Sequence, residues 1–285
     1  MLKLKYIIVD KIPPAELRYL RQNLEENREL ELVELDKEKE ECREKKLSSF
    51  PPENSIFLST EGTELLRMKK QGMTVVGFTE PEQEMKPEFS AADMLVEGFA
   101  EIDGEFLTQV YQRNHHLPWT ILETKRCIVR EITLEDIDDL FALYSWEGMT
   151  EYLEPLYDYE KEKEYQEAYI ENMYGFYGYG MWLVIEKETG NLIGRAGIEH
   201  REELGGELEL GYAIGTPYQR QGYATEVCLA ILEYAKNYLE CDKLNCLIEE
   251  GNLVSEHLAE RLGFTLGEEP VINGKHMKRY VRRFD

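Results

Sequence analysis

The sequence predicts two α/β domains in tandem: a small one with a mostly parallel sheet over residues 1–118, then a larger one over 119–285 whose central sheet is mixed, largely antiparallel and flanked by helices. Three observations carry this expectation. In the first part, short apolar runs of strand length alternate with helix-like stretches, the pattern of a parallel sheet. In the second, the strand-like runs 181–185 and 192–197 flank Glu188-Thr189-Gly190-Asn191, a hairpin signal that pairs strands antiparallel. Between them a helical pattern stops at Asn114-His115-His116-Leu117-Pro118-Trp119, where a proline precedes new strand signals and marks the boundary.

Within 1–118, the runs 5–9, 55–58, 73–78 and 92–96 read as strands because each is short and apolar. Residues 14–27 open with Pro14 and place Leu17, Leu20 and Leu24 on one face, so a helix is expected there. A second helix is expected over 63–71, capped by Gly72, and a third over 104–113. Residues 36–46 are nearly all Glu, Lys and Arg, and opposite charges at helical spacing, with Lys37, Lys45, Glu40 and Glu44 among them, predict a solvated helix. In 119–285, the run 127–130 reads as a first strand, and Thr133-Leu134-Glu135-Asp136 as a helix start with acids in its first turn. A tyrosine-rich helix is expected over 159–173, strands over 208–214 and 244–249, and helices over 225–239 and 255–262. In the first of these helices Val227, Cys228, Ile231, Leu232, Ala235, Tyr238 and Leu239 recur at spacings of three and four, so one face is expected to be buried against the sheet.

Composition narrows the function classes. Apolar residues make up 42% and charged residues 32%, and no apolar run approaches a membrane span, so a soluble cytoplasmic protein with no membrane partner is expected. The polar start, Met1-Leu2-Lys3-Leu4-Lys5, does not read as a secretory signal. Five cysteines without C-x-x-C spacing argue against a disulfide framework and against a zinc site, so no metal is expected. The formal net charge of −24 repels nucleic acid and draws in cations such as amines.

One segment carries more chemistry than the rest. Gln219-Arg220-Gln221-Gly222-Tyr223-Ala224 joins a strand to a helix through a glycine-bearing turn. Such a turn leaves backbone N–H groups unpaired beside the positive end of the helix dipole, which makes an anion cradle suited to a diphosphate.

This run resembles the Q/R-x-x-G-x-G/A signature of the GNAT superfamily of N-acetyltransferases, with Gln219, Gly222 and Ala224 at its three specified positions. The flanks extend the likeness: Glu209-Leu210-Gly211-Tyr212 before it, Thr225-Glu226 and Asn252-Leu253-Val254-Ser255 after it, and Leu262-Gly263-Phe264 beyond. Together they resemble the branch of ribosomal-protein N-terminal acetyltransferases (RimJ/RimL-like), over residues 124–285. The resemblance implies acetyl-CoA as cosubstrate. Its diphosphate is expected on the backbone of Gln219, Arg220, Gln221, Gly222, Tyr223, Ala224 and Thr225, its pantetheine arm on Ala213 and Ile214, and its amide on Asn252. The alternative for Asn252 is a cap before the last helix.

The reaction implied is direct attack of an uncharged amine on the thioester, which needs a base for the ammonium proton and an acid for the departing thiolate. Glu209 is the candidate base, with a structural glutamate as the rival reading. The tyrosine that many relatives place seven residues after the asparagine is here Ala259, which leaves Ser255 as the candidate acid or simply a first-turn residue. The Ile214 N–H is the expected oxyanion donor. His200, in an expected loop over 199–206, and His257 read as bystanders, and the aromatics over 174–182 as a wall for the acceptor. The acceptor implied is a primary amine, a protein or peptide N-terminus or a small and cationic amine. A catalytically silent acyl-CoA sensor is the alternative.

The first domain resembles the later half of a haloacid-dehalogenase-type domain, without its chemistry. Where that family's nucleophile loop reads D-x-D, this chain reads Asp10-Lys11-Ile12, so a non-catalytic domain is expected and Asp10 reads as a cap or turn residue.

Overall fold

The computed structural model describes residues 2–25, 27, 29–35, 40–80 and 87–284. Its chain separates into two compact units, Met1–Leu117 and Pro118–Asp285.

The first unit runs β1 (Tyr6–Asp10), α1 (Pro14–Leu24), β2 (Glu31–Glu34), α2 (Glu40–Leu47), β3 (Ser55–Ser59), α3 (Gly62–Lys69), β4 (Thr74–Phe78), β5 (Met94–Val96) and α4 (Gly104–Asn114). Its strands pair in parallel in the order β2-β1-β3-β4-β5, a doubly wound sheet whose direction of growth reverses between β1 and β3. Both faces are apolar because helices cover both. Ile7 and Val9 pack with Leu17, Leu20 and Leu107 on one side, while Ile8 packs with Leu47, Leu65 and Met68 on the other.

Two features of this unit depart from expectation. The strand β2 falls on Glu31–Glu34, which is half polar because it lies at the sheet edge. The charged helix is not simply solvated: α2 turns Arg43 and Leu47 inward, while the expected contribution of residues 36–39 lies outside the described residues.

The second unit runs β6 (Thr120–Glu123), β7 (Cys127–Arg130), α5 (Ile137–Tyr144), α6 (Tyr159–Tyr169), β8 (Met181–Glu186), β9 (Leu192–Arg201), β10 (Glu207–Ile214), α7 (Tyr223–Asn237), β11 (Lys243–Glu249), α8 (Leu253–Arg261), β12 (Thr265–Leu266), β13 (Val271–Ile272) and β14 (Lys275–Arg283). The strand order is β12-β14-β11-β10-β9-β8-β7-β6, with β13 on β14. Every neighbouring pair is antiparallel except β10 with β11. The α7 face lands where the spacing put it: Val227, Cys228, Ile231, Leu232 and Ala235 are buried, and a fully buried aliphatic side chain of this size contributes roughly 1.5–3 kcal/mol. Tyr238 is the exception, 77% exposed just past the helix end.

Beyond Tyr169 the tyrosine-rich helix widens into π-helical turns over Ile170–Tyr177, ended by Gly178 in the left-handed region. Among the described residues no helix is long and apolar enough to cross a membrane.

Candidate active site

The site grows from a break in the sheet. Strands β10 and β11 share a single register pair, Glu209 with Asn245, and then part. The Gly215 N–H donates to Ile193 O at 2.8 Å, so by strand alternation the odd-numbered residues 211 and 213 turn their N–H and C=O toward β9. The even-numbered ones, Tyr212 and Ile214, turn theirs into the gap. Of the two residues expected to meet the pantetheine arm, Ala213 has its main-chain groups committed to the β9 ladder, whereas those of Ile214, and of Tyr212 before it, face the gap. Side chains bridge the seam where main chain does not. Leu247 N–H donates to Glu209 Oε1 at 3.1 Å, and Asn245 Nδ2 to Leu208 O at 2.9 Å.

At the far end of β10 the chain turns into α7. Gly222 precedes the helix at φ +84°, and a Cβ there would meet nothing nearer than an Arg126 nitrogen at 3.6 Å, so the turn presents bare backbone. Arg220 also sits left-handed at φ 58°. The first N–H of α7 to find a backbone acceptor is that of Glu226, which reaches Gly222 O at 3.0 Å, leaving those of Tyr223, Ala224 and Thr225 at the open helix end. The neighbouring side chains brace the turn. Gln219 Nε2 donates to Ile214 O at 2.8 Å and Gln221 Nε2 to Pro217 O at 2.9 Å, while the Tyr223 hydroxyl is turned inward onto Glu186. Arg126 closes the rim: its guanidinium lies 4.0 Å from the Tyr223 ring centre, donates to Gln221 O at 3.0 Å and pairs with Glu226 at 2.7 Å. This cation beside the cradle was invisible in sequence, because its partner is a hundred positions away.

Cradle and seam open into one cleft of about 1090 Å³ that holds every nominated site residue except Gln221 along its wall. Asn252 lies there as the N-cap of α8, its Oδ1 accepting from Ser255 N–H at 3.2 Å, so the cap reading holds and its amide nitrogen is what remains for a ligand. Ser255 is half-buried, and its carbonyl accepts from the Tyr212 hydroxyl at 3.1 Å. Burial pushes that tyrosine's pKa well up, which keeps it protonated. Ala259 is fully buried.

Glu209 is 5% exposed and paired with Arg201 across its own hairpin. Burial pushes its carboxyl up and outweighs the opposing pull of the Arg201 guanidinium and the Leu247 N–H. Directly opposite it in the β9–β10 ladder stands Glu199, which accepts from the Tyr169 hydroxyl at 2.6 Å. The loop expected over 199–206 is shorter than that: residues 199–201 complete β9 and only 202–206 form the turn, so Glu199 joins Glu209 on one face. His200 on that strand faces away, its ring 4.7 Å from Tyr177, and His257 is exposed on α8. Between the carboxylate pair and the cradle the floor is glycine. A Cβ at Gly197 would come within 2.0 Å of Gly180 O, because the Gly180–Met181 backbone crosses it, and Gly211 opposite it lines the cleft with the Met181 side chain packed against it.

The aromatic wall is also relocated. Trp182 is buried against Tyr234 in the core and Tyr174 is buried edge-on against Tyr169, whereas Tyr144, Tyr152, Tyr157 and Tyr165 line the cleft. Tyr144 and Tyr165 come from α5 and α6, and Tyr152 and Tyr157 from the loop that joins them.

Comparison with known proteins settles the class. Residues 126–265 match the family model described as an acetyltransferase (GNAT) domain. Uncharacterized protein YkkB of Bacillus subtilis is 31% identical over 146 residues, spanning 50% of this chain and 84% of that protein. The chain belongs to the GNAT acetyltransferase family. The uncharacterized N-acetyltransferase YoaA of the same organism is 28% identical over 149 residues, 50% of this chain and 82% of that protein. Among solved structures, RimL, a ribosomal L7/L12 α-N-protein acetyltransferase, matches with a TM-score of 0.52 at 16% identity, covering 60% of this chain and 97% of that one. A complex of RimL with coenzyme A matches at 0.51 and 18% identity, covering 58% and 98%. At these identities the likeness is one of fold. In this acetyltransferase the family match lies wholly within the second unit.

Proposed function

We propose that the second unit transfers an acetyl group from acetyl-CoA to a primary amine, by direct attack within the cleft. One observation carries this reading: the open helix end at Gly222 and the parted strands β10 and β11 are continuous, so a diphosphate and an extended amide arm fit one path. Acetyl-CoA supplies the activated acyl group as a thioester. The chain does the rest. The amides of Gly222 to Thr225 receive the diphosphate, with Arg220 and Arg126 adding positive charge at the rim. Tyr212 and Ile214 offer main-chain groups to the arm, and the Ile214 N–H is aimed to stabilise negative charge on the acyl oxygen. Glu209 accepts the proton of the incoming ammonium, its raised pKa moving it toward neutral pH. The Ser255 hydroxyl relays to the departing thiolate the proton that the nitrogen of the tetrahedral intermediate sheds, with the protonated Tyr212 next to it.

The branch resemblance favours a protein or peptide N-terminus as acceptor, and the acidic cleft also suits a small amine. For the first unit we propose a non-catalytic role. In doubly wound sheets ligands bind where the strand order reverses. Here that edge is filled by Arg43, which pairs with buried Asp10 at 2.7 Å and with Glu64 at 3.2 Å.

The decisive assay is release of free CoA thiol across a panel of primary amines. Turnover on at least one amine supports the proposal. Calorimetric acetyl-CoA binding without turnover on any acceptor replaces it with the sensor reading.

A further inference from the structure

Arg195 lies on β9 in the cleft wall, in register with Ala213 and two residues along the strand from Gly197. Its Nε is buried without a hydrogen-bond partner, and among the described residues its one hydrogen bond is a long 3.4 Å contact from Nη1 to the Tyr144 hydroxyl. Among the described residues no carboxylate lies within ion-pair reach of it, although the same cleft is lined by Glu151, Glu154, Glu199, Glu203 and Glu249. The tyrosines around it are occupied elsewhere: Tyr169 donates to Glu199, and Tyr174 to Met181 O.

An arginine does not escape burial by losing its proton, and although the Arg195 side chain as a whole is half-buried, its Nε is shut from solvent with no partner, which is unfavourable for a charged group. A lysine or a neutral residue fills the same space at less cost, so the guanidinium is explained by an anion that arrives with a ligand. Resting on the acetyl-transfer reading, we propose that the acceptor is an amine bearing a carboxylate, and that Arg195 receives that carboxylate. The face carries charge at its two ends. Glu199 and Glu209 stand at one end and Arg195 at the other, with Gly211 and the apolar Met181 side chain between them, which orients a zwitterion with its amine toward the carboxylate pair and its short apolar stem against Met181. The two ends are four residues apart, about 13 Å of strand that long side chains shorten, so the acceptor's two charges are a few bonds apart. The acidic lining favours a singly charged carboxylate over a doubly charged phosphate, because each added negative charge meets the same glutamates.

Matched acceptor pairs test this on the full chain by thiol release: β-alanine against β-alaninamide, an aspartyl against an asparaginyl dipeptide with both C-termini amidated, and 2-aminoethyl phosphate against ethanolamine. The expected result is at least about tenfold higher kcat/KM for the carboxylate member, about 1.4 kcal/mol of discrimination. Arg195→Gln is expected to collapse that ratio toward one through KM. Equal kcat/KM within the carboxylate pairs of the unaltered protein, or an Arg195→Gln variant that slows both members alike, overturns the inference and makes Arg195 a packing cation. Preference for the phosphate overturns the choice of carboxylate. If no amine turns over, the acetyl-transfer reading fails separately. Equilibrium binding of β-alanine and β-alaninamide to the CoA-loaded protein then decides: preferential carboxylate binding lost in Arg195→Gln supports the inference, and equal binding sinks it.

Discussion

Arg43 is buried beside the first unit's sheet and Arg195 stands half-buried in the cleft wall of the second, and the chain provides for them in opposite ways. Arg43 is answered twice, by Asp10 and Glu64, and Glu64 in turn is shared with Arg67, which reaches Glu44 at 3.0 Å. Among the described residues Arg195 finds only a hydroxyl. A guanidinium with its own counterions closes a crevice, and one without them keeps a crevice waiting. The sheet edges repeat the contrast. The reversal point between β1 and β3 is shut by side chains, whereas the gap between β10 and β11 stays open beside a bare helix end.

Breaking the closed edge is expected to have the largest effect. Arg43→Met leaves buried Asp10 without its main counterion and is expected to cost about 3–5 kcal/mol. Trp119, Trp146 and Trp182 all lie in the second unit, so the loss should appear in urea melts as a far-UV transition preceding the tryptophan transition. Coincident and unshifted transitions would show that the pair does little. At the open edge, Gly222→Glu opposes a diphosphate by bulk and charge, and CoA affinity by calorimetry should fall at least about 100-fold, near 2.7 kcal/mol. Unchanged affinity would remove the cradle from the mechanism.

The smallest effect sharpens the role of the seam. Glu209→Gln should lower kcat/KM about tenfold at neutral pH and abolish an acidic limb lying above the ordinary glutamate range. The sign for stability follows from the same shift. A carboxyl whose folded pKa is raised binds more protons folded than unfolded, so stability falls as pH climbs from the unfolded value of about 4.3 through the folded one, and Glu209→Gln should flatten that slope. A pH-rate profile identical to that of the unaltered protein would leave Glu209 as a structural bridge to Leu247.

Much of this was legible in the sequence because it is local. The apolar spacing of α7, the hairpin at Gly190 and the glycine turn at Gly222 are each set by residues within a few positions of one another. What escaped reading is set by register. That Glu199 faces Glu209, that Tyr212 rather than Ala213 borders the gap, and that Arg195 is unanswered all follow from which strand residues align, and one residue of slip reverses each. The edge strands β2 and β6 and the closing strand β14 were likewise missed, being half polar or densely charged where one side meets solvent. Asp10 read as a turn residue because its counterion stands 33 positions downstream.

The seam has a signature at single-residue resolution. Beyond its one register pair with β11, β10 is bonded on one side only, so successive amide protons alternate between ladder and opening. In heavy water Gly211 and Ala213 should keep their hydrogens while Tyr212 and Ile214 surrender theirs, a two-beat rhythm along a single strand. Filling the opening with a tightly held thioester carrier should silence that rhythm, leaving four neighbours equally slow.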